Sequence, residues 1–144
     1  KFKELISQAI EKDPNNAVLY FNLGVVNNDL GDIDSARDFY EKAIEIDPTY
    51  EAAYFNLTSL ILSGESAIVE EMNSLGTSRA DNARYDTLKS NRETLYLECV
   101  PFLNKLINLN NNIEAIQTLM NIYGTIGDNQ GYMKMKKLLE EIKS

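Results

Sequence analysis

Acidic side chains are the most numerous groups in this sequence that could do chemistry. Glu70-Glu71 and Glu140-Glu141 are adjacent pairs, and Asp29, Asp32 and Asp34 crowd one short stretch. Two carboxylates flanking a bond can hydrolyse a glycoside, and composition alone leaves that reading open. Both glutamate pairs, however, fall on the polar side of a helical pattern, where a solvated face is their expected place. The three aspartates surround a helix start, where negative charge is favourable. A calcium loop would need alternating oxygen ligands and a closing glutamate, and these are missing. The chain has no histidine. The usual general base, the Ser-His and Cys-His pairs and the commonest transition-metal ligand are therefore unavailable to it. It has no Gly-x4-Gly-Lys loop to cradle a phosphate. Cys99 is the single cysteine, so no internal disulfide can form, and it occupies a position suited to a small buried residue. A reactive thiol would need a basic neighbour and exposure. The expectation is a chain with no catalytic residues, no metal and no cofactor.

Charge narrows the partners. Fourteen Lys and Arg stand against 22 Asp and Glu, a formal net charge of −8. Nucleic acid is not an expected partner, because that affinity rests on basic groups neutralising phosphates. Lys134, Lys136 and Lys137 form the one dense basic cluster, near the end of the chain, where a helix C-terminus favours them. No apolar run approaches the roughly 18 residues of a membrane span. Lys1-Phe2-Lys3-Glu4-Leu5-Ile6 reads as the middle of a helix and not as a signal peptide. The chain is thus expected to be an excerpt of a longer protein, and its compartment stays unknown.

The elements that would position these groups repeat. Tyr20-Phe21-Asn22-Leu23 returns as Tyr54-Phe55-Asn56-Leu57, an offset of 34 (54 − 20). Ala9-Ile10-Glu11-Lys12-Asp13-Pro14 returns as Ala43-Ile44-Glu45-Ile46-Asp47-Pro48, again 34 (48 − 14). Each unit reads as two helices. Tyr20, Leu23, Gly24 and Val26 keep helical spacing in the first. Leu30-Gly31-Asp32 breaks it, with Gly31 suited to a left-handed helix end and Asp32 to capping the next helix. Ala36, Phe39, Tyr40, Ala43 and Ile44 give the second helix its buried face, and Asp47-Pro48 ends it. Weaker echoes follow in Ile116, Leu119, Met120 and Tyr123, in Gly127-Asp128, and in Tyr132, Met135, Leu138, Leu139 and Ile142.

Tyr20-x2-Leu23-Gly24, Ala36-x3-Tyr40, Ala43 and Pro48 resemble the tetratricopeptide repeat signature. Gly24 and Ala36 are small enough for two helices to approach closely. Asn27 departs from the family, which usually has tyrosine there, and Tyr132 stands where the family prefers alanine. The resemblance implies an all-α fold, a right-handed α-solenoid of antiparallel helix pairs. Residues 1–16 would be the second helix of a partial repeat, 17–50 a repeat, 51–112 a repeat with an insertion at about 64–93, and 113–144 a terminal repeat, together one domain.

The middle unit is the individual feature. Starts near Glu51 and Ile113 lie 62 residues apart (113 − 51), about 28 more than one period. Leu57, Ile61, Gly64, Ile68, Met72 and Leu75 form one helical stripe. Tyr85, Leu88, Arg92, Leu95, Cys99, Phe102 and Leu106 form another. The expected structure is an elongated helical hairpin with a polar tip at Gly76–Asn82, extending roughly 20 Å beyond an ordinary unit. Bacterial members of the family include such forms. A flexible insertion is the alternative, with Gly64 between Ser63 and Ser66 as the weak point. Pro101 should kink or loosen the return helix near 97–101.

The resemblance also implies what the chain does: its first helices line a concave surface that binds a protein or peptide. Residues one step round from the packing stripe are Phe21, Asn22, Val25, Asn28 and Asp29, then Phe55, Asn56, Ser59 and Leu62, then Glu114, Gln117, Asn121 and Thr125. Asparagines can donate to and accept from a peptide backbone, which suits Asn22 and Asn56 to an extended segment. Phe21 and Phe55 are either anchors for a partner or rings packed on neighbouring helices. Family members that hold chaperone C-termini use a clamp of Lys, Arg and Asn. The corresponding places here carry Phe21, Val25, Asn56, Glu114 and Thr118, so a C-terminal carboxylate is not an expected ligand. The alternative role is structural self-association through the long hairpin or the end repeats, and an enzyme is the third.

Overall fold

The computed structural model describes residues 2–144. They fold into α-helices with no strand among them, in two compact units, one running to Leu60 and the other from Ile61 to Ser144.

The first unit holds α1 (Phe2–Lys12), α2 (Ala17–Asp29), α3 (Ile33–Ile46) and most of α4 (Glu51–Leu62). Sequence chemistry sets each boundary. Asn16 caps α2, its side chain accepting the Val18 amide at 3.1 Å. Gly31 is left-handed at φ 82°, and the Asp32 amide then reaches back to the Asn27 carbonyl at 2.9 Å, closing the end of α2. The Asp32 carboxylate accepts the Ser35 amide at 3.2 Å and starts α3. This is the turn that Leu30-Gly31-Asp32 predicts. Asp47 ends α3 in extended backbone, with its Oδ1 taking both the amide and the hydroxyl of Thr49.

Two contacts make the core of this unit. Gly24 leaves room for the Tyr40 ring: a β-carbon built on Gly24 would lie 2.4 Å from Cε1 and 2.5 Å from Cδ1. Ala36 and Ala43 are fully buried on α3 beside it. Ala17, Ala43 and Ala53 form a small-residue cluster that joins α2, α3 and α4, and Tyr20, Phe21, Ile44, Ile46 and Tyr50 pack around it.

The cap of α3 carries a pH dependence. Hydrogen bonds from the Ser35 side chain and amide hold the Asp32 carboxyl below its ordinary value. Its folded pKa is therefore the lower one. The stability it contributes is present above the unfolded carboxylate value of about 3.9 and is lost as pH falls through the folded value. Asp32→Asn keeps an acceptor at the cap but does not titrate. Thermal melts of the two proteins should differ near neutrality and converge as the medium is acidified below about pH 4. A gap that stays constant with pH would show that the charge of the cap is irrelevant.

The second unit contains α5 (Glu65–Ser74), α6 (Arg79–Asn110), α7 (Ile113–Ile126) and α8 (Asn129–Lys143). Helix α6 is 32 residues long, about 48 Å at 1.5 Å per residue. It packs against α5 on one side of the sequence and α7 on the other, and α7 packs against α8. Gly127 is left-handed at φ 81°, and Asp128 caps α8 by accepting the Gly131 amide at 2.9 Å, the same turn as Gly31-Asp32. Gly131 rests against the Tyr123 ring, 2.7 Å from where its β-carbon would be. A small residue one place before Tyr132 thus lets the two helices approach where the family pattern has its alanine.

Two expectations for the middle segment change. The first arm is not one helix: it breaks at Ser63-Gly64, between α4 and α5. Gly64 has the lowest helix propensity of any residue but proline, and its missing side chain leaves the start of α5 uncapped. The tip is shorter than Gly76–Asn82. Ser78 accepts the Asp81 amide at 3.0 Å and Asp81 accepts the Gly76 amide at 3.1 Å, so helix begins at Arg79. Pro101 lies inside α6, which runs on as helix to either side of it. Pro101 and Leu97, whose carbonyl loses its partner, both lie on the exposed side, where water can take that bond.

Candidate interaction surface

Tyr40, on α3, organises the surface from behind. Its side chain is 1% exposed. From α2, the Phe21 ring lies 5.7 Å from it, and Gly24 lies directly against it. From α4, the Asn56 side-chain amide donates to its phenol oxygen at 3.4 Å. Burial pushes the Tyr40 phenol above its ordinary value, the Asn56 bond opposes the shift and Asp29 adds to it. One buried ring therefore touches side chains from the first helices of two successive repeats, α2 and α4.

Of the residues expected on this face, Asn28, Asp29 and Ser59 are exposed, while Phe21, Asn22, Val25, Phe55 and Asn56 are half-buried. Asn22, Val25 and the pair Asn28-Asp29 follow each other one turn apart along α2. Phe21 has a packing role: besides Tyr40 it meets Tyr50, ring centroids 5.1 Å apart. The remaining expected residues lie in the second unit. Leu62 is half-buried there, and Glu114, Gln117, Asn121 and Thr125 are exposed. Thr118 and Thr125 return their hydroxyls to the carbonyls of Glu114 and Asn121, each at 2.8 Å.

Sequence reasoning missed Tyr50. It closes the aromatic group around Phe21 and borders an open cleft of about 440 Å³ with Asp13, Asn16, Val18, Ile46 and Asp47. Burial, and then the nearby Asp47 carboxylate, raise its phenol above the ordinary value. The available signal was its position just after Asp47-Pro48, facing the small residue Ala17 across the repeat boundary.

Among the described residues, no three His, Cys, Asp or Glu side chains are grouped to hold a metal ion. No described helix is long and apolar enough to cross a membrane. Cys99 is fully buried, as Ala36 is.

No curated protein matched the chain. Among solved structures it is similar to YrrB, described as a TPR protein with an unusual peptide-binding site, at 19% identity over 96% of this chain and 75% of that one, with a TM-score of 0.42. It is similar to MamA at 21% identity over 96% and 85% of the two chains, TM-score 0.40. TTC0263, a thermophilic TPR protein in Thermus thermophilus, aligns at 17% identity over 96% and 80%, TM-score 0.41. The tetratricopeptide repeat family itself matches residues 17–50, the segment whose helices meet at Gly24 and Tyr40, and this chain therefore carries a tetratricopeptide repeat there.

Proposed function

We propose that this chain is a protein-interaction module that takes an extended polypeptide segment along the face shared by α2 and α4 of the first unit. Tetratricopeptide repeats serve generally as scaffolds for protein–protein contact. The single observation that carries the finer reading is the joint contact of Phe21, Gly24 and Asn56 with Tyr40. It ties together two helices whose exposed residues on this face are an amide, a carboxylate and a hydroxyl (Asn28, Asp29 and Ser59), beside the half-buried Asn22, Val25, Phe55 and Asn56. Such groups can satisfy the backbone donors and acceptors of an extended guest. Asp29 and the net charge of −8 favour a guest that is neutral or basic. Phe21 contributes a wall and not a free anchor, since its ring is engaged with Tyr40 and Tyr50. Leu62, Gln117 and Asn121 belong to the second unit and are not needed for this reading. No residue is assigned a catalytic role.

The test is selection of binders from a phage-displayed library of random peptides, followed by calorimetry on the purified chain. Asn22→Ala and Asn28→Ala should each weaken a selected peptide about fivefold to tenfold, as loss of one or two hydrogen bonds would, with thermal stability little changed. A library that yields no binder, or binders indifferent to both substitutions, would overturn the reading.

A further inference from the structure

Helix α5 is held differently from its neighbours. It has no fully buried residue, whereas α7, also packed on α6, buries Ala115, Ile116, Leu119 and Ile122. Ile68, Val69 and Met72 of α5 are only half-buried. Gly64 supplies no side chain to cap its first turn. Its ties to α6 are polar and lie towards its two ends. Near the start, Glu65 Oε1 accepts from Arg92 Nη2 at 2.7 Å, from Arg92 Nε at 3.1 Å and from the Tyr96 phenol. The Arg92 guanidinium also sits 5.3 Å from the Tyr96 ring centroid. Near the other end, Glu71 receives both Arg84 Nε, at 2.5 Å, and Arg84 Nη2, at 2.9 Å.

We propose that α5 is a releasable strap, hinged at Ser63-Gly64, that detaches from α6 while α6, α7 and α8 stay folded. Ion pairs between partly exposed groups contribute little in water and weaken further with salt. The Glu71–Arg84 pair is 41% and 49% exposed and the Glu65–Arg92 pair 26% on each side. With little apolar burial beneath it, α5 depends on these pairs more than any other helix of its unit does. Release takes cover from Tyr96 on α6, whose phenol donates to Glu65 and whose side chain is 1% exposed with the strap in place. The strap is thus a salt-responsive cover over an apolar stretch of the long helix. Segments held by few buried contacts open below the free energy of global unfolding.

Native-state hydrogen exchange of the whole chain, read by mass spectrometry, tests this. Amides of α5 should exchange at least about tenfold faster than those of α7. Raising sodium chloride to about 0.5 M should speed α5 several-fold and leave α7 unchanged. Arg92→Gln should speed α5 about tenfold or more. That substitution also leaves Glu65 beside a buried phenol and could loosen α6, so Arg84→Gln, on the more exposed pair, is the deciding variant. It should speed α5 alone, by a smaller factor. Exchange of α5 in step with α7 under all conditions would overturn the proposal, as would an α5 rate that neither salt nor Arg84→Gln changes.

Discussion

Gly24→Ala should lower the stability of the first unit by about 2 kcal/mol, although alanine is the better helix former. The two effects have opposite signs and their sizes decide the outcome. In an exposed helix interior the substitution would gain about 1 kcal/mol from propensity. Here the new methyl meets Tyr40 Cε1 and Cδ1 at 2.4 and 2.5 Å, closer than any relaxed carbon contact. The ring has no easy retreat. It is 1% exposed, its oxygen is held by Asn56, and Phe21 flanks it. Overpacking of this kind costs about 1–3 kcal/mol, and a contact this short on a rigid ring belongs at the upper end. Gly124→Ala provides the contrast. Its β-carbon would find Tyr132 Cδ2 at 3.6 Å, ordinary contact distance, so that variant should be neutral or more stable by up to about 1 kcal/mol. Urea unfolding of both variants beside the parent measures the difference. If Gly24→Ala stabilised the chain as Gly124→Ala does, α2 and α3 would not meet through this glycine. A double-mutant cycle with Tyr40→Leu should show strong coupling, because the smaller side chain removes the clash.

What could be read from the sequence followed from which forces act locally. The Gly31-Asp32 and Gly127-Asp128 turns were legible because a left-handed residue and a capping carboxylate are chemical requirements written into single residue types. The close approach at Gly24 and Ala36 was legible for the same reason: small residues at helical spacing have one obvious use. The break at Ser63-Gly64 was visible as a weakness but not as a break. A stripe of apolar residues through Leu57, Ile61, Ile68 and Met72 argues for continuity as strongly as Gly64 argues against it, and only the packing of α5 on α6 settles which prevails. Arg92 shows the limit most clearly. It stands in an apolar stripe as an apparent interruption, yet it donates to both Glu65 and Tyr96. Pairing between residues 27 positions apart (92 − 65) leaves no periodic trace. The repeat alone puts Asn22 and Asn56 at equivalent places on α2 and α4. The engagement of Phe21 is not legible there, because a half-buried ring one step round from the stripe satisfies both readings until Tyr50 is placed beside it.

Asn27 stands where the family usually has tyrosine, and its surroundings make the largest single effect expected of this chain. The side chain is fully buried. Its Nδ2 donates to the Leu23 carbonyl at 2.7 Å, and its Oδ1 has no hydrogen-bond partner among the described residues. Asn27→Asp keeps the size and shape and changes two things. The donor to Leu23 is replaced by an oxygen that faces another oxygen, and a charge enters a site closed to water. An uncompensated buried charge costs about 3–5 kcal/mol, so the variant should leave the first unit largely unfolded at neutral pH. The pH dependence identifies the cause. A carboxyl in this site has its folded pKa raised, so the penalty is complete above that value. It shrinks as pH falls and vanishes below the unfolded value of about 3.9, where the group is protonated in both states. Asn27→Ala separates charge from hydrogen bonding. It removes a bond worth about 1 kcal/mol together with an unmatched acceptor, and the Leu23 carbonyl retains its place in the helix ladder. That variant should stay within about 1–2 kcal/mol of the parent. Parallel melts across acid and neutral pH distinguish the outcomes. If Asn27→Asp and Asn27→Ala were equally mild at neutral pH, the site would be open to water, and α2 and α3 could not be packed together as tightly as Gly24 and Tyr40 require.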